Sequence, residues 1–257
     1  MATIVEIMGL PGSGKTTATA ILLRALREQG VSVLGRRESV LSCLRRRPDR
    51  WIKGFLKHLP VWLWEPLLGS QTAFLEFVGF AARHPKLFKI LADWTVRSGW
   101  DEQKRHGILW AFALLFAEAE LIRRHAPVDA VVLFDEGFAH RGFSLFGYLP
   151  PDRLPAGACS DYVDAIPLPS AAVWIDAGIE SCARRLGMRP AFPLLARGAT
   201  SDDPRIQLHQ GQAVSERIAA ALEQKGVPTW RVDNRDGRQA EATKQMLQGI
   251  VPRIIGL

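Results

Sequence analysis

The sequence predicts an α/β fold, a doubly wound and mainly parallel five-stranded sheet with a helical insertion. Three observations point there. A short apolar strand runs directly into a glycine-rich turn and an amphipathic helix. The stretch between the second and third predicted strands is helical in pattern. Strand and helix then alternate to the C-terminus.

Residues 3–8 (Thr-Ile-Val-Glu-Ile-Met) read as a buried strand rich in β-branched side chains. After the glycine-rich turn, Ala18, Ile21, Leu22, Ala25 and Leu26 recur at helical spacing, and Gly30 stands where a left-handed C-cap belongs. Residues 31–34 form a second strand, so the unit implies a right-handed crossover between parallel strands. Helices are predicted over 49–58, 66–83, 85–97 and 101–125, punctuated by Pro60, Pro66, Pro85, Gly99 and Pro127. Six of the eight tryptophans fall in this stretch and read as its core, or as an apolar acceptor wall or lipid-facing surface. Strands follow over 130–134, 171–175 and 228–232, and helices over 178–186, 205–225 and 238–251. The whole is a single domain over 1–257 with an insertion at about 45–126 and no internal repeat.

Composition narrows the class. A 47% hydrophobic and 23% charged chain of 257 residues is globular and not an extended disordered chain. Cys43, Cys159 and Cys182 are odd in number and lack metal-ligand spacing, so they read as reduced thiols of a cytoplasmic protein. The first eight residues carry no basic n-region and no cleavage pattern, so they read as part of the fold. The most apolar run, 108–117, is about half the length of a membrane span, and no integral membrane segment is expected. The net charge is +7, and residues 36–57 carry eight basic residues against Glu38 and Asp49. That run reads as a solvated helix face, with a phosphate-rich site or a peripheral membrane contact as alternatives. Nucleic acid is not an expected partner.

The sharpest signal is Gly9-Leu10-Pro11-Gly12-Ser13-Gly14-Lys15-Thr16, a full match to G-x-x-x-x-G-K-[ST] between a strand and a helix. Glycines let successive backbone N–H groups turn inward into an anion nest, and the helix adds its positive end. Lys15 neutralises terminal phosphates, and the Thr16 hydroxyl is a Mg²⁺ ligand. Gly9, Pro11, Gly12, Ser13, Gly14, Lys15, Thr16 and Thr17 are therefore the nucleotide-binding candidates, with ATP and Mg²⁺ as cofactors. The apolar run 130–134 ends in Asp135-Glu136. Asp135 is the candidate carboxylate on the metal side. Glu136 either activates water or binds an acceptor hydroxyl.

The order of these parts resembles the thymidylate kinase and deoxynucleoside kinase group of the P-loop fold. The resemblance implies an acceptor-facing carboxylate after the second strand, where Arg37-Glu38 stands and Ser39 replaces a proline. Glu38 then takes the acceptor's proton while Arg37 orients the acceptor. Those kinases carry Asp-Arg or Glu-Arg at the third strand, whereas this chain has Asp135-Glu136, and Arg141 is the candidate replacement arginine. His140 reads as structural. The resemblance also makes residues 188–205 a lid whose arginines stabilise the transferring phosphoryl group, from Arg184, Arg185, Arg189 and Arg197, with Arg185 and Arg189 on one helix face if the helix continues. Arg189 and Asn234 join the nucleotide-binding set.

These residues predict a phosphotransferase that moves the γ-phosphoryl group of ATP to a hydroxyl or phosphate of a nucleoside-, nucleotide- or sugar-like small molecule. A P-loop ATPase and a non-catalytic nucleotide-binding adaptor are the alternatives. No Asn-Lys-x-Asp element reads guanine, and no Leu-Ser-Gly-Gly-Gln stretch marks a transporter-type ATPase.

Overall fold

A computed structural model describes residues 1–46, 71–147, 154–188, 204–235 and 240–257. The expected helix over 49–58, Trp51, Trp62, Trp64, Arg189, Arg197 and nearly all of the expected lid lie outside the described residues.

Five strands, β1 (Thr3–Met8), β2 (Val33–Gly35), β3 (Val131–Asp135), β4 (Ala171–Asp176) and β5 (Thr229–Asp233), pair in the order β2-β3-β1-β4-β5. Every pairing is parallel. The helices are α1 (Lys15–Glu28), α2 (Arg36–Arg46), α3 (Gln71–Arg83), α4 (Pro85–Arg97) and α5 (Glu102–His125), followed by α6 (Phe138–Phe146) and α7 (Ala158–Val163). After β4 come α8 (Ile179–Gly187), α9 (Pro204–Gln224) and α10 (Ala240–Ile255).

The pleat sorts each strand's residues to two faces. Val5, Ile7, Leu133 and Val173 pack against Ala18, Leu22 and Leu26 of α1 and Leu247, Ile250 and Ile254 of α10. Met8, Val132, Phe134 and Trp174 face the opposite core, built from α2 to α7 and α9. Register places Ile7 beside Asp135 and Met8 beside Trp174, so the carboxyl ends of the three central strands share one edge. The glycine-rich turn leaves β1 at that edge, flanked by the ends of β3 and β4, where ligands of such sheets bind.

The expected strands are all present, β1 with the expected bounds and the other four ending one residue later. Three helices were not expected. Residues 36–46, read as part of a basic run, form α2, whose Val40, Cys43 and Leu44 are buried while its arginines flank them. The helices α6 and α7 were also unforeseen. In α6, Phe138, Ala139, His140, Phe143, Leu145 and Phe146 are all buried, and only the narrow stripe of Arg141 and Ser144 is partly exposed, so the helical period is faint in the sequence.

Candidate functional site

The glycine-rich turn requires glycine for two separate reasons. Gly9, Gly12 and Gly14 have φ values of 148°, 82° and 97°, in the region that side chains disfavour. Space is also lacking, since a Cβ at Gly12 would lie 2.8 Å from the Cys182 carbonyl oxygen. Ser13 N donates to Leu10 O at 3.0 Å and closes the turn. Gly14 caps α1, whose first turn holds no acidic residue, so its unpaired N–H groups retain their positive character. The Lys15 ammonium reaches back over the turn to Gly9 O and Leu10 O, both at 3.0 Å. The turn has the backbone form of a phosphate loop.

The loop is fastened from behind. Arg185 of α8 donates to Gly12 O at 3.2 Å and Ser13 O at 3.4 Å, and to Asn234 O at 3.1 Å. Asn234 Nδ2 donates to Ser13 O at 2.7 Å. The sequence assigned Arg185 to a phosphoryl group and Asn234 to the nucleotide. In the structure both residues bond the loop's carbonyl oxygens. Arg184 is exposed.

The end of β3 is shaped by a residue that sequence reasoning passed over. Glu6 lies in β1 on the α6 side of the sheet and is 2% exposed. Its carboxylate accepts from Phe138 N and Ala139 N, both at 2.8 Å, and so caps α6. Burial pushes its pKa up to about 7, against those N–H groups, which lower it. Tyr162 donates its buried hydroxyl to Phe138 O at 2.7 Å. Between β3 and α6 the chain turns sharply, with Glu136 at φ 58°. An acid inside an apolar strand was the available signal for Glu6, but its partner lies 132 residues away.

A cleft of about 1020 Å³ runs from the phosphate loop along α2 and the β3 end to α5. Four carboxylates line it, Glu38, Glu118, Asp135 and Glu136. Glu118 is paired with Arg36 at 2.6 Å, and Glu136 with Arg141 at 3.2 Å. Glu38 accepts from Arg27 at 2.6 Å and from Gly35 N at 3.0 Å, both through Oε2, which caps α2, and Oε1 accepts no hydrogen bond among the described residues. The Asp135 carboxylate accepts no hydrogen bond and forms no ion pair among the described residues, while its carbonyl receives Arg36 at 3.4 Å.

Cations share the same space. Arg37 is exposed and makes no hydrogen bond or ion pair among the described residues. Arg141 is mostly buried, and its Nε has no hydrogen-bond partner among the described residues. Burial lowers its pKa, with Glu136 opposing the shift. His140 lines the cleft but is buried and held neutral. Desolvation first, then the charges of Lys15, Arg141 and Arg36, push its pKa well below the ordinary value. Lys104 of α5, not singled out from the sequence, completes the set.

The residues present suit Mg²⁺. Thr16 is exposed at the start of α1, and Asp135 offers an unengaged carboxylate to the same cleft. Among the described residues no cluster of three acidic, His or Cys side chains forms a metal cage. Mg²⁺ bound with a nucleotide needs only one or two protein oxygens, the rest coming from phosphate and water. No described helix is long and apolar enough to cross a membrane.

No family model matches the chain, and no curated protein matches it in sequence. Among solved structures, a shikimate kinase from Bacteroides thetaiotaomicron aligns over 97% of this chain and 98% of its own, with 13% identity and a TM-score of 0.40. A shikimate kinase from Acinetobacter baumannii, solved in complex with shikimate, aligns over 98% and 95%, with 13% identity and a TM-score of 0.39. TT1252 from Thermus thermophilus aligns over 100% and 98%, with 15% identity and a TM-score of 0.33. Likeness at this level bears on neither family nor substrate, and the site rests on its own geometry.

Proposed function

We propose that the protein is an ATP-dependent phosphotransferase that moves the γ-phosphoryl group to a hydroxyl or phosphate of a small molecule. One observation carries the reading. A single cleft joins the phosphate loop to a wall on α2 and α5, so a nucleotide and a second molecule can meet in it.

The roles follow from the chemistry of each group. The loop's backbone N–H groups and the start of α1 bind the phosphates, and Lys15 swings from its carbonyl contacts onto them. The Thr16 hydroxyl and the Asp135 carboxylate would hold Mg²⁺, which would supply neutralising charge beside the phosphate oxygens. Glu38 is fixed through Oε2, so Oε1 is placed to take the acceptor's proton. Arg37 and Arg141 orient the acceptor and the transferring group. The acceptor oxygen bonds to the γ-phosphorus, the bond to the bridging oxygen of ADP breaks, and the proton passes from Glu38 to water. Glu136 is already paired with Arg141, which disfavours a role in activating water for simple hydrolysis. Three buried, unpaired cysteines suit the cytoplasm, where ATP is available.

The test is an acceptor panel incubated with ATP and Mg²⁺ and read by mass spectrometry. A gain of one phosphoryl unit on an acceptor is expected, with slow ADP release when no acceptor is present. Rapid ADP release without any acceptor would replace this reading with an ATPase.

A further inference from the structure

Away from the cleft, the helix α3 has its polarity reversed. It buries its one acid and shows its apolar residues. Glu76 is 2% exposed and lies 3.6 Å from Arg124 of α5. Phe74, Leu75 and Val78 are 64%, 65% and 43% exposed, and exposed Ala82 continues their side. At ~100° per residue these four fall in a stripe about 100° wide, the width with which a surface helix ordinarily meets a core. The helix α4 extends the surface. Phe88, Ala92 and Val96 recur at every fourth residue and are all exposed, Val96 at 79%. The Phe88 ring meets the Phe77 ring edge-on at 6.5 Å, and Phe77 neighbours Phe74 one turn along α3. The two stripes therefore join. Single exposed apolar side chains are ordinary, but a continuous patch on two helices marks a surface that something covers.

The charges around the patch indicate the covering partner. Glu120 of α5, like Glu76, points inward, fully buried and paired with Arg83, Arg123 and Arg124. Lys86 and Lys89 are exposed on either side of Phe88, and neither forms a hydrogen bond or ion pair among the described residues. Half-buried Asp93 is the one acid of α4. The free charge at this surface is thus cationic. A lysine stem can lie along apolar surface with its ammonium at the rim. Helices that lie in the headgroup layer of a bilayer combine an apolar face with flanking lysines in this way. A two-fold pair of copies would instead bring one lysine-rimmed patch against another.

We propose that the α3–α4 face docks the protein on an anionic bilayer surface. Phe74, Leu75, Val78, Phe88 and Val96 enter the headgroup layer, and Lys86 and Lys89 meet its anions. No described helix can cross a membrane, so the contact is peripheral. None of these residues lines the cleft, so docking and nucleotide binding can be tested apart.

The test is flotation of the full-length protein with vesicles of phosphatidylcholine and phosphatidylserine at about 3:1, compared with phosphatidylcholine alone. Partition onto the anionic vesicles is expected to be at least about tenfold stronger, and to fall as salt is raised. Lys86→Gln with Lys89→Gln should remove most of that preference, whereas Lys86→Arg with Lys89→Arg should keep it. Phe74→Ser with Val96→Ser should weaken binding to the anionic vesicles by about tenfold. Both side chains are largely exposed, so melting temperature and Mg-ADP affinity should stay unchanged. Equal partition onto the two kinds of vesicle would overturn the inference, as would a Phe74→Ser, Val96→Ser protein that binds like wild type. A vesicle-free dimer that this double variant splits would make a second copy the occupant instead. A clear fall in melting temperature for Phe74→Ser alone would show the face covered from within the chain, and would overturn the inference too. Tighter binding of soluble polyglutamate than of anionic vesicles would assign the face to an acidic protein.

Discussion

The two ends of the cleft are built on different physical terms. At the phosphate loop, recognition belongs to the backbone. Three glycines with positive φ, a helix start and a ring of bonds from Arg185 and Asn234 hold the N–H groups in place. Any phosphate fits such a surface, so a short local sequence can encode it. Along α5 the cleft is lined by side chains, a lysine, a glutamate, two small residues, two aliphatic and two aromatic ones. These are residue types that any buried helix uses. The glycine-rich turn is thus locally written, whereas the opposite wall of the cleft comes from long-range assembly.

The first way to break this contrast is at the loop. Lys15→Ala should lower turnover by about 10³-fold or remove Mg-ATP stabilisation altogether, with an unchanged melting temperature in the absence of nucleotide. Melts of both proteins with and without Mg-ATP check this. Equal stabilisation of the variant would mean that the loop does not hold phosphate. The acceptor side comes next. Glu38→Gln should slow acceptor phosphorylation by about 10²-fold or more, with nearly normal ATP affinity, because the amide keeps a cap for Gly35 N and loses the base. Near-normal turnover would move proton acceptance to Asp135.

A third experiment concerns Glu6, which ties β1 to the start of α6. The folded pKa of Glu6 is raised from 4.5 to about 7, so folding favours the neutral acid. Its contribution is fully present below pH 4.5 and is lost as pH rises through about 7. Glu6→Gln cannot ionise. Its stability relative to wild type should therefore improve by a few kcal/mol between pH 4.5 and pH 7.5, read from urea midpoints. Parallel stability curves for the two proteins would show that the carboxyl does not titrate in that window. The smallest effect is expected at the metal. Asp135→Asn should raise the Mg²⁺ needed for half-maximal activity by about tenfold, and superimposable Mg²⁺ titrations would remove the metal role.

Much of the sheet was legible because buried parallel strands are short apolar runs bounded by turn residues, as in residues 171–175. The phosphate loop was legible because its glycines answer a local steric demand. The helix α2 was not, since Arg36, Arg37, Arg45 and Arg46 surround the few apolar residues that pack. Glu38 was singled out from its place after the second strand, yet its bonds to Arg27 and Gly35 N were invisible in the linear order. Arg185 was found as an arginine near phosphate, and only the fold shows it turned toward loop carbonyls. Lys104 and Glu6 were both missed for one reason. Each owes its environment to elements distant in the chain, Lys104 to the cleft and Glu6 to α6.

Gly137 adds a constraint on how this protein can diverge. A Cβ there would sit 2.4 Å from the Glu6 carboxyl carbon, although the Gly137 backbone itself is unexceptional at φ −73°. The glycine is required by its neighbour. Any side chain at 137 would push the carboxylate away from Phe138 N and Ala139 N, and a shorter residue at position 6 would abandon those donors just as surely. The two positions, one in the first strand and one past the middle of the chain, form a single heritable unit. Double substitutions that shorten position 6 and supply a capping Ser or Asp at 137 should be tolerated where either change alone is not. Relatives that have lost the glutamate are accordingly expected to show a capping side chain at the position of Gly137.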